Sequence, residues 1–148
     1  MPAGSCPICA GHRGEGPLVA PVVWHDDLVW VKHVVDRAMP VPLGHLVVET
    51  ARHTAYVDSL RDDEAAALGV ARRRAAVALR AELDVEAVHA YLSNRSLEHV
   101  HEHVVARYHG TPSAVPWHES AEWIDAPRGD LATVTALCER LARHFPSG

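Results

Sequence analysis

No stretch of the chain stays apolar for the roughly 20 residues that a membrane span needs. The opening run Met-Pro-Ala-Gly-Ser-Cys-Pro-Ile-Cys also lacks the apolar segment of a secretory signal. These absences set the expectation of a cytoplasmic protein with no membrane partner. Cysteine is scarce, with three in 148 residues, which argues against a disulfide framework in a reducing compartment. Basic residues are outnumbered 14 to 19 by acidic ones, for a net charge of -5 with histidine neutral. That balance offers no basic stripe for a nucleic-acid polymer, although helix ends and backbone amides can still hold a small anion. There is neither an internal repeat nor a low-complexity tract. With 48% hydrophobic and 22% charged residues, the composition suits one globular domain over 1–148.

What the chain does have is histidine, twelve in all and none in a terminal run. Residues 1–17, rich in Gly, Pro and Cys, read as a knuckle or loop that contains the pair Cys6-Pro7-Ile8-Cys9. Leu18–Trp24 and Leu28–Val35 are apolar and β-branched around the turn His25-Asp26-Asp27, a hairpin pattern. Pro40, Pro42 and Gly44 interrupt, and a third strand restarts at His45-Leu46-Val47-Val48-Glu49. Asp62 stands where a cap belongs, with Asp63 and Glu64 in a favourable first turn. Leu68, Ala71, Ala75, Leu79 and Leu83 then recur at three- and four-residue steps, an amphipathic helix of about six turns. Strands are expected at 87–92 and 97–107. A segment rich in Pro and Trp follows over 110–129. A short closing helix places Leu131, Val134, Leu137, Leu141 and Phe145 on one face, so that 110–148 forms a C-terminal extension. The order β-β-β-α-β-β-α predicts an α+β domain with a mainly antiparallel sheet.

The sequence His99-Val100-His101-Glu102-His103 carries the chemistry. Alternation along a strand sends the three imidazoles to one face, roughly 6.5–7 Å apart, and Val100, Glu102 and Val104 to the other. Packing gives no reason to repeat imidazole three times. Such a patch either binds a metal through neutral nitrogens or attacks phosphorus with one imidazole while its neighbours donate protons. Spacing alone does not choose between them.

Together with Gly44-His45-Leu46-Val47-Val48, His53, the N-terminal CxxC and the intervening helix, this strand resembles the histidine triad (HIT) family, in its zinc-bearing bacterial type. The resemblance runs from Cys6 to about Tyr108. It implies a HIT-like fold with a five-stranded sheet, one long helix and a C-terminal helix. It also implies a nucleotide hydrolase or nucleotidyl transferase, of phosphoramidase or dinucleoside polyphosphate hydrolase type, that works through a covalent nucleotidyl-histidine. By the same resemblance His101 is the nucleophile, His103 the phosphate-side partner and proton donor, His45 a third member from the neighbouring strand, and Ser96 a hydroxyl near the leaving atom. Cys6, Cys9, His53 and His99 match the ligands of a structural zinc, with His12 competing for the place of His53. A homodimer is implied as well.

Two departures stand out. Glu102 replaces an apolar residue and faces the packing side, where an unpaired charge would cost several kcal/mol, so a cationic partner or an exposed edge is expected. Arg95 stands where glutamine is usual, and either clamps a phosphate or faces solvent. Trp117 and Trp123 either stack on a base or pack within the fold. Two other readings stay open: a metal-dependent hydrolase with a histidine-bound catalytic zinc, and a non-catalytic nucleotide-binding zinc protein.

Overall fold

The hydrophobic pattern resolves into one antiparallel sheet, covered on one side by helices and open on the other. The computed structural model describes residues 1–93 and 96–147. Five strands, β1 (Val22–His25), β2 (Val29–His33), β4 (His45–Thr50), β5 (Val85–Leu92) and β6 (His101–Tyr108), pair antiparallel in the order β1-β2-β4-β6-β5. Two short strands, β3 (Val41–Pro42) and β7 (Arg128–Gly129), form a separate ladder that pins the C-terminal segment to the 40s loop.

Helix α1 (Pro7–His12) forms inside the 1–17 segment expected as a knuckle or loop, with Pro7 in the first turn, where its missing N–H is no loss. Helix α2 (Asp62–Glu82) starts one residue earlier than expected. Arg61 is its N-cap, and the Glu64 carboxylate reaches back to the Arg61 N–H at 2.9 Å. Helix α3 (Leu131–Ala142) is capped by Asp130, whose Oδ1 accepts from Thr133 N at 2.9 Å.

Strand alternation sorts the sheet into two faces. Val29 and Val31 of β2, Leu46 and Val48 of β4 and Val104 of β6 bury against Leu68, Ala71, Ala75 and Leu79 of α2 and Val134, Leu137 and Leu141 of α3. Each fully buried leucine removes apolar surface worth about 2 kcal/mol. On the opposite face, register sets Lys32, Val47, His103 and Tyr91 in one row across β2, β4, β6 and β5. Trp30, Glu49 and His101 form the next row.

The last strand of the sheet differs from expectation at its start. β6 begins at His101, not at Leu97. Just before it, Val100 N donates to Thr54 O at 2.7 Å and Val100 O accepts from Thr50 N at 3.2 Å. The chain at 97–100 therefore docks on the 50–54 turn rather than extending the ladder. His99 leaves the histidine row as a result. Glu102 finds its cation on the helix side: Arg72 Nη1 lies 3.1 and 3.2 Å from its two oxygens. Among the described residues, no helix is long and apolar enough to cross a membrane.

Candidate active site and metal centre

His99 is fully buried and turned toward the N-terminal knuckle. Its Nδ1 lies 3.4 Å from Cys6 Sγ and 3.5 Å from Cys9 Sγ, while His53 Nδ1 lies 3.6 Å from Cys9 Sγ. All four ligand atoms fall within 4.8 Å of one another. A tetrahedral zinc with Zn–S and Zn–N bonds of about 2.3 and 2.0–2.1 Å separates sulfur from nitrogen by about 3.6 Å, so the set fits.

The remaining ring nitrogens are already committed. His99 Nε2–H donates to Thr50 O at 2.7 Å and His53 Nε2–H to Met1 O at 3.0 Å. These carbonyls fix the tautomers and leave each Nδ1 as the ligand. Burial holds His99 neutral, with its pKa pushed down to about 4. Burial, then the hydrogen bond to Cys6, push the Cys9 thiol up to about 11. That favours the protonated Cys9 thiol, whereas a bound metal would hold the thiolate. The four residues constitute a closed Cys₂His₂ zinc-type site. His12 is not in it. Its Nε2 pairs with Glu49 Oε2 at 2.8 Å, and its ring stacks on Trp30 with centroids 4.6 Å apart.

Arg52 anchors the segment that carries His53. Its guanidinium makes two 2.8 Å bonds to Glu64, one to each oxygen, at the start of α2. Arg52 first, with further hydrogen bonding and charge from Arg61, outweighs desolvation and holds the Glu64 carboxyl down to about 2.

His101 and His103 remain on the open face, with ring centroids 5.3 Å apart, and both line a cavity of about 170 Å³. The cavity walls are apolar, from Ile8, Pro17, Leu18, Val35 and Leu97 among others. His101 Nδ1 sits 2.7 Å from the carbonyl of His99. A carbonyl only accepts, so Nδ1 carries a proton, and in the neutral ring the lone pair falls on Nε2. His103 Nδ1 meets His45 Nε2 at 2.9 Å, and Tyr91 stacks on the His103 ring at 4.8 Å. Burial, then the neighbouring His103 and His33, push His45 down to about 4. Burial likewise lowers His103 below the usual histidine range, with His101 adding to it and Glu49 opposing.

The other expected site residues lie elsewhere. Ser96 is exposed and is not among the residues lining the cavity. Trp123 packs against Val85, Ala106 and Tyr108, away from the cavity. Trp117 is half exposed; it lies beside His89 and His118 and, at 6.2 Å between centroids, beside Tyr91, which in turn stacks on His103. Arg95 lies outside the described residues. Conversely, Lys32, Glu49 and Tyr91 face the site without any motif in the sequence that marks them. The available signal was a pair of opposite charges set inside two apolar strands.

No family model matches the chain, and no curated protein matches it. Solved structures do. A Hit-like protein involved in cell-cycle regulation from Bartonella henselae superposes with a TM-score of 0.72 at 15% identity, covering 96% of this chain and 97% of that one. A zinc-bound histidine triad family protein from Mycobacterium smegmatis gives 0.67 at 19% identity, covering 97% and 100%. A member of the HIT family from Bacillus subtilis gives 0.63 at 18% identity, covering 97% and 99%. An antiparallel five-stranded sheet backed by helices, with histidines on its open face, is therefore the histidine triad fold. In this chain that fold carries a Cys₂His₂ centre at the entry to β6.

Proposed function

We propose that the protein cleaves a phosphoanhydride or phosphoramidate bond at the α-phosphorus of a nucleotide, with His101 as nucleophile. The observation that carries this reading is the 2.7 Å contact between His101 Nδ1 and the His99 carbonyl. It fixes the neutral ring's lone pair on Nε2, in a residue that lines the cavity. Nε2 attacks phosphorus, the bond to the leaving oxygen or nitrogen breaks, and a nucleotidyl-histidine forms. Burial keeps His103 neutral until the phosphate anion brings a proton in with it; the ring so charged, its Nδ1–H donated to neutral His45, gives its Nε2 proton to the leaving atom. Water then attacks phosphorus and the N–P bond breaks. His101 departs neutral, and the water's proton returns to His103 Nε2. With a phosphate as acceptor in place of water, the same steps transfer the nucleotidyl group.

The residues Cys6, Cys9, His53 and His99 would hold zinc as a structural ion, which anchors the β6 entry without contacting the reacting atoms. The His99 carbonyl that orients His101 belongs to a zinc ligand, so the metal centre supports the nucleophile's tautomer. By the resemblance, Arg95 and Ser96, which precede His99 in the sequence, are candidate phosphate contacts. Trp117, beside Tyr91, is kept as an outer wall. The same reading carries a homodimer, which light scattering should report as twice the chain mass; a strict monomer would remove it.

Incubation with an amine-linked nucleotide and with a dinucleoside polyphosphate, each with and without chelator, tests the proposal. Turnover that survives short exposure to chelator and falls by at least about 10⁴-fold in His101→Ala supports it. Turnover that stops at once in chelator and returns with zinc supports a catalytic metal instead.

A further inference from the structure

The cavity floor carries a charged pair that neither the metal centre nor the histidine steps use. Lys32 is 2% exposed and Glu49 4%, yet both line the cavity beside His101 and His103. Lys32 Nζ lies 2.9 Å from Glu49 Oε2, and the same oxygen takes the 2.8 Å contact from His12. Among the described residues, nothing donates to the other carboxylate oxygen, Oε1. Lys32's remaining protein contact is a long one, 3.5 Å to Leu18 O. Among the described residues the pair thus holds an unused acceptor and a donor with an N–H to spare, side by side in a wall that is apolar apart from His33, His101 and His103.

Stability does not account for this arrangement. Replacing a buried ion pair by apolar residues of similar volume is often neutral or stabilising, because desolvation offsets the attraction. An apolar cavity with a few placed polar groups is instead how small-molecule sites fix orientation. Glu49 is the register partner of His101, and Lys32 shares the row of His103, through Val47. Glu49 is one strand from His101 and Lys32 two strands from His103, so a ligand group on this pair lies about 5–10 Å from the reacting histidines.

We propose that Glu49 and Lys32 form a recognition pair selecting substrates whose seated moiety carries a hydrogen-bond donor next to an acceptor. The donor bonds Glu49 Oε1 and the acceptor takes an N–H from Lys32. Two parts of a nucleotide have this chemistry, the polar edge of a base and a pair of neighbouring ribose hydroxyls. The inference rests on the nucleotide reading above and adds what the cavity discriminates. An analogue lacking the donor leaves Glu49 Oε1 without a partner, and loss of a hydrogen bond to a charged group weakens binding about 10- to 100-fold.

Binding, not turnover, is the test. Titration calorimetry on the intact protein would compare adenosine 5′-monophosphate with purine riboside 5′-monophosphate, which lacks the amino donor, and with 2′,3′-dideoxyadenosine 5′-monophosphate, which lacks both hydroxyls. One analogue should bind 10- to 100-fold more weakly than the parent, and which one identifies the seated group. In K32M/E49Q, which removes both charges together and keeps an acceptor for His12, the gap should shrink to about threefold or less. Circular dichroism confirms that this variant is folded, and K32M/E49L serves if it is not. Equal binding of all three ligands, or an undiminished gap in the double variant, overturns the recognition pair alone. No binding of any of the three overturns the nucleotide reading and the pair with it.

Discussion

At the scale of single residues, the site depends on tautomers fixed by carbonyls and on one glycine. Gly44, just before His45, has φ of 88°, and a Cβ there would come within 2.8 Å of Ala106 Cβ and 2.9 Å of Leu83 Cδ1. Gly44→Ala should therefore destabilise the fold by about 1–3 kcal/mol, read as a lower denaturation midpoint. Buried neutral histidines give a pH signature. His45 is pushed from 6.5 down to about 4, and His33 is lowered by burial as well. Between those values the unfolded chain binds the proton and the folded one does not, so stability is full above about pH 6.5 and is lost as pH falls toward 4. Chemical denaturation at pH 7 and pH 5 should show a drop, with about 1–2 kcal/mol of it absent in His45→Asn. The triad was legible at this scale because three alternating imidazoles have no packing explanation. Lys32 and Glu49 were not, because a charge in an apolar strand reads as an edge until the register shows both on the cavity floor.

At the scale of elements, period alone placed α2 and the inner face of α3, since Leu68, Ala71, Ala75, Leu79, Val134, Leu137 and Leu141 are all buried. Leu131, expected on the same face, is 46% exposed because it opens α3 directly after the cap. The start of β6 was not legible. Alternation continues through His99, but backbone bonds to Thr50 and Thr54 take the chain out of the ladder there. Such long-range pairing leaves no local trace. The demand for a partner to Glu102 was legible from strand alternation, and Arg72 on α2 meets it. Burial pushes the Glu102 carboxyl up, and Arg72 opposes it. Arg72→Met should cost about 2 kcal/mol by stranding that carboxylate, and R72M/E102L should recover most of the loss. Equilibrium unfolding of the three proteins measures both effects.

At the scale of the whole molecule, the knuckle, the 53–64 segment and the β6 entry meet at the Cys₂His₂ centre. The sequence contained all four ligands, but His12 competed with His53 on spacing. Only the folded chain shows His12 drawn away to Glu49 and Trp30. Exhaustive metal removal, or Cys6→Ser, should lower stability by at least about 3 kcal/mol, a fraction of what structural zinc supplies to small finger peptides. Thermal denaturation before and after zinc is restored measures it.

If His101 is the nucleophile of the proposed reaction, it becomes covalently nucleotidylated. Intact-protein mass spectrometry after acid-free rapid quenching with an adenylylated amine tests it most directly. The account predicts one added nucleotidyl group per chain, mapped by peptide sequencing to His101 and absent from His101→Ala. Steady turnover with no adduct at any quench time, or an adduct mapped to another residue, would contradict it.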